Sequence, residues 1–358
     1  MKKYILLFTV FILSCSSFCC ALKVMPRGQS STWLEHSDDW QYGIRYIPQL
    51  TILHSSDKIK NIDAEISLDM YATEDASDME MYRSWIRYAP SQLELRLGLQ
   101  KINFGPAKFL RSLMWFDQID ERDPLLLTNG VSGLLGRYYF LNNANLWIWG
   151  LYGNRSLKGL ELLRTGKSRL ETGGRLQMPV PRGEVAVSIH RRHISRSHWN
   201  SIMGTSIGKG TEIRYGFDGD WDAGAGLWCE TALSNTKTDT AGSYWQGFLT
   251  LGTDYTFNIG PGVHALYEHF FRSAGSKMDN QKNAMSFSAL SADLSISILD
   301  AINGILYYDW KTKKIYTYLG WQRTYDDWLL NVSIFDSPDR DGSIYNNNGI
   351  RCMVSYNY

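Results

Sequence analysis

The side chains best suited to chemistry lie in one stretch, which runs Ser188, His190, His193, Ser195 and His198. A serine hydrolase needs a nucleophile, a base and an orienting acid within reach of one another. Successive residues of a strand point to opposite faces, so this spacing favours a strand end and a loop over an active site. No H-E-x-x-H metalloprotease pattern occurs. We therefore predict no enzyme, no metal site and no cofactor.

The cysteines do not indicate a redox or metal centre either. Cys15, Cys19 and Cys20 lie in the first 21 residues, and Cys229 and Cys352 are far apart. The remaining chain has no C-x-x-C pair, which excludes a disulfide framework or a cysteine-based metal site.

The first 21 residues resemble an export signal. Lys2 and Lys3 precede an apolar run over residues 4–13, and cleavage after Ala21 would remove a signal peptide, residues 1–21. An imperfect lipobox at residues 12–15 leaves a lipoprotein signal as the alternative. No later run of 18 apolar residues exists, so a soluble periplasmic protein or an outer-membrane barrel is expected.

Alternation of apolar and polar residues favours the barrel. It extends over residues 62–70, 93–99, 184–192 and 245–257. Side chains alternate between the two faces of a strand, and segments of about ten residues are typical of strands that cross a membrane. The pattern predicts an all-β protein, a transmembrane antiparallel β-barrel.

Three features argue against a soluble β-sandwich, which also alternates. The segments exceed the usual strand length of about five or six residues. The chain has 21 Tyr and 13 Trp, many of them at strand ends, as in an interfacial girdle. The last residues, 352–358, alternate up to the terminal Tyr358 and resemble the signal read by the barrel-assembly machinery.

Turn signals divide the chain into about seventeen strands. Bacterial barrels have an even number, short periplasmic turns and longer extracellular loops. A missed first strand within residues 22–39 would give about 18 strands, and one false strand would give 16. We expect residues 40–358 to form the barrel without a domain boundary.

One connection, residues 105–133, is unusually long and carries both apolar and charged residues. Loops of this length are usually functional or disordered, and the apolar residues need burial. We expect this loop to fold inward, with an extracellular cap or membrane-facing flap as the alternative. Together with wall arginines it would form a constriction, whose predicted pore-lining residues are Arg83, Arg87, Arg96, Trp115, Phe116, Asp117, Asp120, Glu121 and Arg122.

Charges on the strands follow the same alternation. A charge that faces lipid at mid-depth costs about 2–4 kcal/mol, so the charged faces should line the lumen. The predicted lipid-facing residues include Ile66, Leu97, Leu251 and Cys352, and the predicted lumen-facing residues include Glu65, Arg96, Asp254 and Arg351.

Residues 92–140 carry a recognisable pattern. Leu95-Arg96-Leu97-Gly98-Leu99-Gln100-Lys101 precedes the long loop with Trp115 and Asp117, and Asn129-Gly130-Val131 closes it. This resembles bacterial outer-membrane porin-like proteins related to the alginate-export barrels, although Gln100-Lys101 stands where an arginine is usual. The resemblance implies transport and names no solute.

Taken together, the sequence predicts a channel in the cell outer membrane for passive diffusion or export of small polar solutes, anionic or saccharide. A non-conducting structural or adhesive barrel and an outer-membrane hydrolase are the alternatives. Expected partners are outer-membrane lipids, lipopolysaccharide, the barrel-assembly machinery and a small polar solute. The net charge of +1 gives no support for nucleic-acid binding.

Overall fold

The computed structural model describes residues 22–37, 39–54, 61–119, 121–195, 197–198, 206–239, 242–276, 284–337 and 348–358. The predicted signal peptide, residues 1–21, lies outside the described residues, and so does Asp120. No helix in the described part of the chain is long and apolar enough to cross a membrane.

Eighteen long strands form the wall of the molecule. They are β1 Leu22–His36, β2 Trp40–His54, β3 Ile62–Thr73, β4 Ser77–Tyr88, β5 Leu93–Gln100, β6 Val131–Tyr139, β7 Asn145–Tyr152, β8 Leu170–Val180, β9 Gly183–Ile194, β12 Gly210–Asp222, β13 Gly226–Thr238, β14 Gly242–Phe257, β15 Val263–Gly275, β16 Met285–Ser295, β17 Asp300–Asp309, β18 Lys314–Tyr325, β19 Trp328–Asp336 and β20 Gly349–Asn357. Two short strands, β10 Ser197–His198 and β11 Ser206–Ile207, pair only with each other.

The sheet closes on itself through its first and last strands. Consecutive wall strands pair antiparallel, and β9 pairs with β12. β1 pairs with β2 on one side and with β20 on the other, where Gln29 lies opposite Asn357. Closure leaves no free sheet edge, which would otherwise expose unpaired backbone groups.

The predicted fold class is therefore confirmed, including the count of eighteen strands in place of sixteen. The strand that the turn signals did not reveal is β1, which lies inside the predicted segment 22–39. Its backbone pairs along its whole length with β2, so residues 22–36 belong to the barrel wall.

The two faces of the wall differ as the alternation predicts. Leu97 and Leu251 are 56% and 46% exposed on the outer face, and Cys352 is exposed as well. The inward residues of the same strands are mostly polar, such as Glu94 on β5 and Thr250 on β14. An apolar belt around a polar interior is the pattern of barrels that span membranes.

Candidate functional site: the lumen and its inward loop

The connection between β5 and β6, residues 101–130, folds into the barrel. Gly105 has a φ of 94°, a conformation that L side chains rarely adopt. A Cβ at this position would also collide with the carboxylate of Glu230 on β13. Glycine therefore lets the loop backbone approach the far wall, and the inward course of the loop is confirmed.

Two carboxylates of the far wall hold the loop by its backbone. Glu230 accepts hydrogen bonds from the backbone N–H groups of Ala107, at 2.9 Å, and Leu113, at 3.0 Å. Both carboxylate oxygens are used, and the Glu230 side chain is fully buried. Two backbone donors on one fully buried side chain fix the loop to β13 at this point.

Glu268 on β15 is the second anchor. It accepts from the N–H groups of Lys108 at 2.7 Å, Phe109 at 2.9 Å and Leu110 at 2.7 Å. The indole N–H of Trp228 donates to the same carboxylate at 3.1 Å. Three consecutive backbone donors on one carboxylate fix both the position and the direction of residues 108–110.

An aromatic cluster buries the next part of the loop. Trp115 and Phe116 are fully buried against Phe104, Trp149 and His190. The ring centroids of Phe116 and Trp149 are 5.5 Å apart in an edge-to-face arrangement, and those of Phe116 and His190 are 5.1 Å apart. Such pairs add about 0.5–1.5 kcal/mol beyond the area they bury, so this cluster fastens the loop to β7 and β9.

A buried ion pair stiffens the body of the loop. The guanidinium of Arg111 donates to Asp117 at 2.9 Å and to the side-chain oxygen of Asn103 at 2.8 Å. The charge of the buried Asp117 is therefore balanced by Arg111 within the loop.

A second inward loop, residues 153–169 between β7 and β8, packs against the first. The N–H of Leu160 donates to the carbonyl of Met114, and the amide of Gln118 donates to the carbonyl of Gly159. This second loop carries Lys158 and Glu161 into a buried network of three carboxylates and three cations. Its members are Lys158, Glu161, Glu171, Arg192, Glu212 and Arg214.

The wall of β3 to β6 is covered less completely and carries the arginine cluster, defined as Arg87, Arg96 and Arg137 with the carboxylates Asp63 and Glu94. Arg87 pairs with Asp63 at 2.8 Å, and Arg96 pairs with Glu94 at 3.0 Å. Arg87 and Arg96 lie opposite each other on β4 and β5. Their side chains are 34% and 16% exposed, although both point into the barrel.

Tryptophan rings support these guanidiniums from the side. Arg96 lies 4.7 Å from the ring centroid of Trp85, and Arg137 lies 3.9 Å from that of Trp147. Stacking of this kind holds a charged group in place while its other edge stays available to water or a solute.

The predicted site residues occupy three different places. Arg87 and Arg96 lie together on the open wall, whereas Arg83 is buried beneath the loop and donates to the carbonyl of Thr128 at 2.8 Å. Arg122 lies beside Tyr316 and Tyr318 on β18.

The remaining predicted residues belong to the loop itself. Trp115, Phe116 and Asp117 are buried inside it, and Glu121 is half-buried. Asp120 is outside the described residues. That these residues line the pore stays a prediction. Because Trp115, Phe116 and Asp117 are buried, they anchor the loop and do not offer a surface to a solute.

Sequence reasoning missed the anchors Glu230 and Glu268. Both lie on inward faces: Glu230 comes two residues after Trp228, and Glu268 comes two residues after Leu266. The signal available was a carboxylate in the middle of a strand, which a barrel can accept only towards its lumen. The sequence does not show which of these carboxylates contacts the loop, because that depends on how the closed barrel places the strands around it.

The histidine-rich stretch does not form a triad among the described side chains. His190 on β9 accepts from the indole N–H of Trp149 at 3.1 Å and lies 3.4 Å from Glu171. Ser188 instead accepts from Arg175 at 3.2 Å. The residues Gly204-Thr205-Ser206-Ile207-Gly208 match the spacing G-x-S-x-G, but Ser206 and Ile207 are extended in β11 and lead into β12. A nucleophile elbow requires a strand-to-helix turn at the serine.

Comparisons with known proteins support the fold of the chain but do not assign it to a family. No protein-family model matches the chain, and no curated protein matches it. Among solved structures, OccAB1 of Acinetobacter baumannii aligns with a TM-score of 0.61 and 8% identity, covering 94% of this chain and 96% of that chain.

Two further solved structures are similar. The outer membrane channel DcaP of Acinetobacter baumannii gives a TM-score of 0.54 and 10% identity, covering 94% of this chain and 98% of that chain. An anion-selective porin from Comamonas acidovorans gives a TM-score of 0.51 and 13% identity, covering 94% of this chain and 100% of that chain. At such identities the likeness defines the fold, which is that of the porin-type barrels. None of the three is described as an alginate-export barrel.

Proposed function

We propose that this chain is an outer-membrane channel that admits small polar solutes by passive diffusion. The observation that carries the proposal is the arginine cluster, whose side chains remain partly exposed inside a closed barrel. The loops pack against β7, β9 and β12 to β18 and cover Arg83 on β4, and they leave Arg87, Arg96 and Arg137 partly exposed. Solutes would pass between the loop and the arginine cluster.

The charge of this passage supports a preference for anions. Around the arginine cluster four guanidiniums, which include that of Arg83, face three carboxylates, Asp63, Glu65 and Glu94. Rings or rows of fixed charge set the selectivity of water-filled pores. The description of the Comamonas porin as anion-selective agrees with this preference. Saccharide export, which the resemblance to alginate-export barrels implies, has no comparable support from the geometry.

Single-channel recording in planar bilayers tests the proposal. The purified full-length barrel should give discrete current steps, with a reversal potential in a KCl gradient that indicates anion preference. Arg96→Glu should move the reversal potential towards cations. A folded, heat-modifiable barrel that gives no current above the detergent control would refute the channel and favour a structural barrel.

A further inference from the structure

A cavity of about 250 Å³ lies beside the inward loop, away from the arginine cluster. Neighbouring positions of β13 and β14 form one wall, where Ser234 lies opposite Gln246 and Ala232 lies opposite Phe248. Trp115 of the inward loop and leucines of the second loop, Leu160 and Leu162 among them, complete the lining. The surface of the cavity is mostly apolar, although seven residues with hydroxyl groups, one amide and three charged residues also line it.

The charged groups at the edge of this cavity are neutralised by each other. Arg214 donates to Glu212 at 2.6 Å and to Glu161 at 3.0 Å. Glu212 also accepts from Arg192 at 2.8 Å. All of these groups belong to the balanced network of three carboxylates and three cations. An ionic ligand would therefore lose its hydration without gaining an unpaired counter-charge.

Gln246 is a buried polar residue in the wall of the cavity. It is only 8% exposed, and its Nε2 has no hydrogen-bond partner among the described residues. Buried donors are nearly always paired, because an unpaired N–H loses its bond to water. Nε2 has almost no accessible surface as the side chain lies, so a ligand with a hydrogen-bond acceptor supplies the missing partner once the terminal amide turns towards the cavity.

We infer that this cavity binds a neutral, ring-sized molecule with an apolar body and one hydrogen-bond acceptor, such as a carbonyl oxygen. Pockets for drug-sized ligands span about 300–1,000 Å³, so this smaller cavity suits a single ring with one substituent. The apolar body contacts Trp115, Leu160 and Phe248, and the acceptor faces Gln246. The inference deepens the proposed channel function, on which its role in solute uptake rests.

Equilibrium dialysis of the full-length barrel in detergent tests this inference. Benzamide carries a ring and a neutral carbonyl, benzoate carries the same ring with a negative charge, and glucose carries hydroxyl groups around its rim. Benzamide should bind saturably above the empty-micelle background, at least tenfold more tightly than benzoate or glucose. The Ser234→Phe substitution should fill the cavity and abolish the saturable component.

Gln246→Leu should weaken benzamide binding roughly two- to tenfold, the range expected for one neutral hydrogen bond. The matched control is Asn331→Leu, which changes another buried lumen-facing amide that does not line the cavity. This control should leave binding unchanged. Heat-modifiability reports folding of each variant, and Gln246→Leu decides the test if Ser234→Phe does not fold.

Equal binding of benzoate, preferential binding of glucose, or insensitivity to Gln246→Leu would overturn the assignment. The outcome is separable from the channel proposal. Conductance without benzamide binding would refute the cavity and leave the channel, whereas benzamide binding without conductance would refute the channel and leave the cavity.

Discussion

Removing the anchor Glu268 should release the tip of the inward loop. Its carboxylate accepts from the backbone N–H groups of residues 108–110, and each hydrogen bond to a charged acceptor contributes about 1.5–3 kcal/mol. Three such bonds set an upper bound of about 5–9 kcal/mol on the stabilisation. A loss of only about 2.8 kcal/mol raises the undocked fraction roughly a hundredfold.

Glu268→Ala should therefore raise the mean single-channel conductance and add rapid current fluctuations. Glu268→Gln retains an acceptor oxygen but no charge, so its effect should be intermediate. The matched control is Glu35→Ala, which removes a lumen-facing carboxylate that pairs with Arg351 and does not touch the loop. The control should keep the loop docked.

Limited trypsin digestion provides a second readout that does not depend on conductance. Lys108 is exposed but held by its backbone, so the wild-type loop should resist cleavage there. Cleavage after Lys108 should accelerate in Glu268→Ala. Wild-type conductance together with unchanged cleavage would refute the argument that Glu268 holds the loop.

Three further predictions test the remaining structure. Shortening residues 105–130 to a few residues should raise conductance without unfolding the barrel, because loop length costs little free energy, and an unchanged current would place the loop outside the conducting path. Deleting Tyr358, whose hydroxyl lies 2.6 Å from that of Tyr46, should lower the yield of heat-modifiable barrel in the outer membrane, and a normal yield would contradict this. A water-soluble thiol reagent should label single cysteines at the lumen-facing positions 65, 96 and 254 and spare the outer positions 66, 97 and 251, and the reverse pattern would contradict the assigned faces.

The sequence alone was sufficient to predict the barrel and the faces of its strands. Alternation such as that of residues 93–99 carries this information locally, because successive side chains of a strand point to opposite faces. The first strand was harder to recognise. Residues 22–36 contain Pro26 and Gly28, lack regular alternation and become a strand by pairing with both β2 and β20.

The sequence predicted that the long loop folds into the lumen, but it did not predict which wall residues the loop contacts. The apolar residues of the long loop required burial, and Trp115 and Phe116 are buried as anchors. Their partners could not be deduced, because the bonds to Glu230 and Glu268 join residues 117 to 160 positions apart. Only closure of the sheet brings β13 and β15 across the lumen from β5. Tertiary structure therefore decided which carboxylates hold the loop and which arginines remain exposed to water.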